Sequence, residues 1–213
     1  MPFGTLQWSS SGSPEHVPSI AEAARRADLP VSLPTHLPQG VGQPQDIVVQ
    51  PAVRATITFD SRADALSGAS VDLTAGPGVL VSYRSSAPDT AASGGTNRVD
   101  VPTLGIVAMR RPTASTTGAT VDQITSFLLS QPDVPPGVAA QLRLLGDLST
   151  TLPVPVPAGT TSGSATVAGH PGVVIADPSG VAAGAVWEDG DVVRVVAGLV
   201  DEQSVLDVAD QLW

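Results

Sequence analysis

The spacing of apolar residues divides the chain into strands and helices. Residues 53–59 carry apolar side chains at odd positions and polar ones at even positions, a period of two that predicts a half-buried strand. Residues 79–83 and 104–109 are further strand candidates. Four short apolar segments separated by turn-rich sequence predict a β-meander near the end, over residues 165–167, 172–176, 181–188 and 192–197.

Capping motifs predict where the helices begin. Residues 19–22 (SIAE) and 120–123 (TVDQ) are capping boxes, and Asp201 provides an N-cap for a closing helix. Pro135-Pro136 suits the first turn of a further helix, because proline lacks the amide hydrogen that this turn leaves unbonded. We therefore predict a helical hairpin over residues 120–146.

Fold class and domain organisation follow from these elements. We predict an α+β fold, in which a helical hairpin and terminal helices pack on a curved antiparallel sheet. Residues 1–17 are rich in small polar residues that bury little surface, so we expect a flexible N-terminal tether. Residues 18–213 then form a single domain, or two intimate halves over 18–118 and 119–213.

Composition narrows the function classes. The net charge of −10 and the pI near 4.4 argue against nucleic-acid binding, which depends on clustered basic residues. With no cysteine, the chain has no disulfides, no thiolate catalysis and no cysteine-based metal site. No apolar run approaches the roughly 20 residues that span a bilayer, so we expect either a cytosolic protein or one that is attached to the membrane by an anchor upstream of residue 1.

Catalytic motifs are absent from the sequence. His16, His36 and His170 are far apart and form no zinc-peptidase motif, and no Gly-x-Ser-x-Gly elbow is present. The acidic group at residues 188–191 (EDGD) lies on an expected hairpin tip, where carboxylates are solvated. We therefore predict a non-enzymatic protein with no catalytic residue, no metal and no cofactor, and we expect Trp187 to fill a core.

Several segments resemble a known bacterial domain family. Residues 33–40 (LPTHLPQG) and 185–193 (AVWEDGDVV) resemble the opening and closing motifs of a family of unknown function, and 127–132 (FLLSQP) and 152–157 (LPVPVP) are similar to its actinobacterial members. The resemblance covers roughly residues 19–213. The family occurs on the extracytoplasmic side of membrane-anchored proteins, some of them similar to anti-sigma-factor regulators. It implies a location in the cell envelope and supplies no catalytic residues.

Two function hypotheses fit these observations. The first is a sensory or regulatory module that binds a protein partner outside the membrane. The second is a carrier of lipid or another apolar envelope ligand, in which the 120–146 hairpin forms a lid and Phe127, Leu128, Leu142 and Leu145 line a pocket. Alternatively, these four side chains only complete a core.

Two further alternatives remain open from the sequence. Arg110, at the end of a strand and followed by a second arginine, is a candidate to bind an anionic headgroup or an acidic partner; the alternative is a solvated edge charge. An unrecognised hydrolase would require a serine close to His36 or His170.

Overall fold

The computed structural model describes residues 4–86, 103–130 and 159–212. Within these described residues there are three α-helices, α1 (Ile20–Ala27), α2 (Val121–Ser130) and α3 (Glu202–Ala209), and a 3₁₀ helix at Ser61–Leu66. The strands are β1 (Gly4–Ser10), β2 (Glu15–His16), β3 (Val41–Gln50), β4 (Val53–Phe59), β5 (Ser70–Ala75), β6 (Gly78–Ser85), β7 (Leu104–Arg110), β8 (Thr113–Thr117), β9 (Thr161–Val167), β10 (His170–Ala176), β11 (Ala183–Asp189) and β12 (Val192–Gly198). All pairs among these described strands are antiparallel, and together with the helices they confirm the predicted α+β class.

The chain forms two compact units, each assembled from three separate stretches. The first unit comprises the described residues within 1–11, 52–76 and 112–154, and the second those within 12–51, 77–111 and 155–213. Neither a single domain over 18–213 nor halves over 18–118 and 119–213 matches this division. The reason is strand pairing, because β12 forms its ladder with β7, which precedes it by some 80 residues.

The first unit is built on a four-stranded sheet in the order β1-β4-β5-β8. Alternation along β4 places its odd-numbered side chains on one face of this sheet. The 3₁₀ helix and α2 contribute to the core of this unit, whose buried members are Phe59, Ala63, Leu66, Ala69 and Ile124.

The N-terminal residues are part of this sheet. The expected tether over residues 1–17 is wrong for residues 4–10, because β1 pairs with β4 at every one of its positions. Residues 15–16 are also in a strand, paired with β3. In β1, Leu6 and Trp8 alternate with polar residues, and this period of two is the local signal that the Ser- and Gly-rich composition obscured.

The second unit contains an eight-stranded sheet in the order β2-β3-β6-β7-β12-β11-β10-β9. Helix α1 contacts β3 and β6, whereas α3 contacts β10, β11 and β12. The expected placement of Trp187 in a core is confirmed, since its side chain is 2% exposed. Strands β9 to β12 confirm the predicted meander, and Gly190 at φ 62° supplies the left-handed residue of the β11–β12 turn.

The helix N-termini carry the caps that the sequence predicted. The Ser19 hydroxyl accepts the Glu22 amide at 3.2 Å, and the Asp201 carboxylate accepts the Ser204 amide at 2.7 Å. At α2 the capping box is reciprocal, since Thr120 accepts the Gln123 amide at 3.2 Å while the Gln123 side chain accepts the Thr120 amide at 2.8 Å. The further helix predicted from Pro135 lies outside the described residues.

Within the described ranges, no helix is both long enough and apolar enough to cross a membrane.

Candidate functional site

An exposed apolar surface lies on the four-stranded sheet of the first unit. It consists of Leu6, Trp8 and Leu73, which are 38%, 68% and 43% exposed, and we call it the Trp8 patch. Strand register explains why they share a face: Trp8 is opposite Ala55, and Ala55 is opposite Leu73 in the next strand. The patch contains three of the five large hydrophobic residues that are exposed in the described chain, so this surface is an unusual concentration of apolar area.

The far end of the same sheet face is covered by α2. Phe127 packs edge-on against Phe59, with ring centroids 5.9 Å apart and an interplanar angle of 83°. Phe127 and Leu128 are both half-buried and pack against the first unit's core. The contacts of Phe127 and Leu128 match the alternative in which these side chains complete a core rather than line a pocket. Leu142 and Leu145 lie outside the described residues.

The opposite face of this sheet is polar. Asp72 accepts hydrogen bonds from Thr56 Oγ1 at 2.6 Å and from Arg54 Nε at 3.1 Å. These two bonds, of which the one from Thr56 has the larger effect, stabilise the carboxylate and hold the pKa of Asp72 below its usual range. The sheet therefore presents a network of polar side chains on one side and the Trp8 patch on the other.

Arg110 is engaged within the second unit. Its guanidinium donates to the Asp28 carbonyl oxygen at 2.7 Å and to the Asp28 carboxylate at 2.9 Å, and it also pairs with Asp191. Asp28 is the left-handed C-cap of α1, at φ 51°, and Asp191 lies in the β11–β12 turn. Arg110 thus links the end of α1 to this hairpin through two exposed carboxylates, and its role in binding an anionic group stays a prediction.

A second apolar surface crosses the eight-stranded sheet of the second unit. Consecutive ladders align one residue from each of six neighbouring strands: Val48, Leu80, Val107, Val195, Val186 and Val173. We call this set the valine row. All except the buried Val48 are half-buried, and none belongs to either core cluster of the described chain.

The other face of that sheet buries polar atoms together with the core. Tyr83 Oη, Trp187 Nε1 and Arg194 Nε are buried without a hydrogen-bond partner among the residues that the structure describes. Burial raises the pKa of Tyr83 to about 12, because the low-polarity surroundings penalise the phenolate. Arg194 is partly satisfied, since its Nη2 donates to the Pro30 carbonyl oxygen at 3.1 Å and lies 3.4 Å from Asp189 Oδ2.

The three histidines occupy separate environments. His16 Nδ1 lies 3.5 Å from an Asp46 oxygen, and His170 Nε2 lies 3.9 Å from an Asp189 oxygen. The His36 amide donates to Gln211 Oε1 at 2.8 Å. In the described part of the chain, no three histidine, aspartate or glutamate side chains are grouped so as to hold a metal ion.

Compared with protein-family models, curated proteins and solved structures, the chain matches none of them.

Proposed function

We propose that this chain is a non-enzymatic protein-interaction domain that acts outside the cytoplasmic membrane and regulates a membrane-anchored signalling protein. The location and the regulatory role rest on the resemblance of residues 33–40 and 185–193 to the extracytoplasmic family. The single observation that supports protein binding is the Trp8 patch.

The energetics of the Trp8 patch favour a protein partner. An exposed tryptophan leaves a large apolar area in water, and its burial contributes on the order of 2–3 kcal/mol. Tryptophan is also the residue type that most often dominates binding energy when it lies at the centre of an interface. Strand β1 carries no charged residue, so a partner that covers it desolvates no ion on this strand.

Site-specific photo-crosslinking in cells tests this proposal. Benzoylphenylalanine at Leu6 lies in the patch, whereas at Gln7 it lies on the opposite face of the same strand. We expect a discrete protein adduct from position 6 that disappears with Trp8→Ser and persists with Leu199→Ser, since Leu199 is exposed elsewhere.

Folding is checked by comparing the thermal transitions of the variants with that of the unsubstituted chain. Equal adducts from positions 6 and 7, or an adduct at position 6 that survives Trp8→Ser, would show that the patch does not bind a protein partner.

A second candidate function is transport of a lipid or another apolar ligand, which the valine row favours. Six aligned apolar side chains cover five inter-strand spacings of about 4.8 Å, or roughly 24 Å, comparable with a long acyl chain. The row contains no polar side chain, which suits a hydrocarbon ligand.

A fluorescent fatty acid tests the carrier. Val107→Thr is nearly isosteric and places a hydroxyl in the valine row, so it should weaken fatty-acid binding to the delipidated chain about tenfold. The control Val181→Thr, in an exposed turn, should leave this binding unchanged. A delipidated chain that binds no fatty acid excludes this candidate and leaves the interaction domain unaffected.

A further inference from the structure

Among the strands that the structure describes, β1 is an edge strand that lacks the usual protection against strand pairing. It forms one end of the four-stranded sheet and has seven residues, GTLQWSS, in unbroken register with β4. Natural edges are usually blunted by charged residues, by proline, by a bulge or by a very short length. Strand β1 has none of these features, and its residues 5–10 are all exposed.

The other sheet edges of the described chain differ from β1. Strand β2 has two residues, one of them Glu15. Strands β8 and β9 are longer and uncharged, but they carry no large exposed hydrophobic side chain. An unprotected backbone therefore coincides with large exposed apolar side chains only at β1 among these four edges.

The backbone of β1 faces outward at the same residues that carry the Trp8 patch. The Ser11 amide donates to the Ala52 carbonyl oxygen at 2.9 Å, which fixes the odd-numbered residues as those bonded to β4. Because hydrogen-bonding direction alternates along an antiparallel strand, Leu6 and Trp8 direct their amide and carbonyl groups away from the sheet.

We propose that β1 takes up an extended peptide segment of a partner protein as an additional strand of this sheet. The inference rests on the proposed interaction function and names its mode. The incoming backbone pairs with the outward groups of Leu6 and Trp8. Its side chains on the patch side are apolar and pack beside Trp8, so main-chain bonds provide affinity and the alternating apolar positions provide specificity.

Charge identifies the incoming segment as a neutral or basic peptide. A second copy of this chain would bring a further net charge of −10, which opposes association at long range. Arg54, on the neighbouring strand β4, is paired with Asp72, so its charge is already balanced by a carboxylate of the same sheet. The occupant is therefore an uncharged or basic segment in which apolar residues recur at every second position.

A pair of substitutions at one position separates strand addition from side-chain docking. Leu6→Ala removes the apolar side chain and keeps the amide, whereas Leu6→Pro also removes the outward amide. Proline is tolerated on an edge strand where its missing amide faces solvent, so Leu6→Pro keeps the β4 ladder. The probe is a set of peptides selected from a random displayed library on the full chain and then labelled for fluorescence anisotropy.

We expect the selected peptides to have alternating apolar residues and no excess of acidic ones. Leu6→Pro should weaken their binding about tenfold more than Leu6→Ala. In the unsubstituted chain, peptide binding should slow hydrogen exchange at the Leu6 and Trp8 amides, a measurement that does not depend on the folding of the proline variant.

The other possible results of these experiments contradict strand addition, the peptide partner or the Trp8 patch, each in a different way. Equal binding to both Leu6 variants, or unprotected amides, overturns strand addition while the patch remains a binding surface. A failure to select peptides at all overturns the peptide partner and leaves the crosslinking test of the proposed function unaffected, whereas peptide binding that survives Trp8→Ser contradicts the assignment of the Trp8 patch as the binding surface. A dimer that dissociates with Leu6→Pro assigns the edge to a second copy and overturns the peptide partner.

Discussion

Replacing Tyr83 by phenylalanine removes one hydroxyl from the core of the second unit. Tyr83 is 1% exposed, and its hydroxyl has no partner in the described part of the chain. A buried unsatisfied hydroxyl costs about 1–3 kcal/mol, and the small void that replaces it costs about 1 kcal/mol or less. We therefore expect Tyr83→Phe to raise the free energy of unfolding by about 1 kcal/mol. For a chain of this size the midpoint temperature then rises by roughly 2–4 °C.

The same substitution changes the response to high pH. The folded pKa of Tyr83, about 12, exceeds the value of 10.0 in an unstructured chain. The stability that this group contributes is complete below pH 10 and is lost as the pH rises through 12, because the unfolded state then releases its proton first. Two pKa units correspond to a loss of roughly 3 kcal/mol, which Tyr83→Phe should abolish.

Tyr83 is the only tyrosine of the chain, so the ultraviolet absorbance of its phenolate reports on this residue alone. Urea unfolding at neutral pH gives the free energy change, provided that the slope is unchanged by the substitution. A phenolate that titrates near pH 10 in the folded protein would refute the burial argument. A destabilised Tyr83→Phe variant would show that the hydroxyl makes a favourable hydrogen bond.

Three further substitutions test local features of the fold. Thr120→Ala removes one half of the α2 capping box and should cost about 1 kcal/mol in urea unfolding, whereas the exposed Ser126→Ala should change little; equal effects would contradict the capping assignment. Gly190→Ala, at φ 62°, should cost about 1 kcal/mol because a side chain strains this left-handed turn, and an unchanged midpoint temperature would be inconsistent with it. Because the pKa of Asp72 is lowered in the folded state, its carboxylate stabilises the fold at neutral pH, and this stabilisation is lost as the pH falls through the folded pKa. Asp72→Asn should therefore lower the free energy of unfolding at pH 7 and make it less dependent on acid pH. An unchanged loss of stability at acid pH would disprove this role.

Local patterns in the sequence predicted much of the architecture, because those features depend on neighbouring residues. The caps at Ser19, Thr120 and Asp201 each involve an amide three residues away. The turn at Gly190 likewise depends only on local backbone conformation. Strand β5 has the same alternation of apolar and polar residues as β4, a local signal that is sufficient to predict it.

The remaining features depend on contacts between distant residues. Strand β8 has the sequence TASTT, with no apolar period, and it becomes a strand because β5 pairs with it. Arg110 finds its two carboxylates 82 and 81 residues away, so no sequence window contains all three groups. The Trp8 patch was missed because its exposure depends on register with Leu73, although the alternation of Leu6 and Trp8 was visible.

The interleaved path of the chain has consequences for how this protein is cut, truncated and inherited. Six stretches alternate between the two units, so the backbone passes from one to the other five times. No single proteolytic cut and no simple truncation of the gene releases either unit intact. A cut after residue 118, for example, separates β8 from α2 in the first unit and β7 from β12 in the second. We therefore expect the two units to be inherited together, and an isolated unit to require three gene segments joined by new loops.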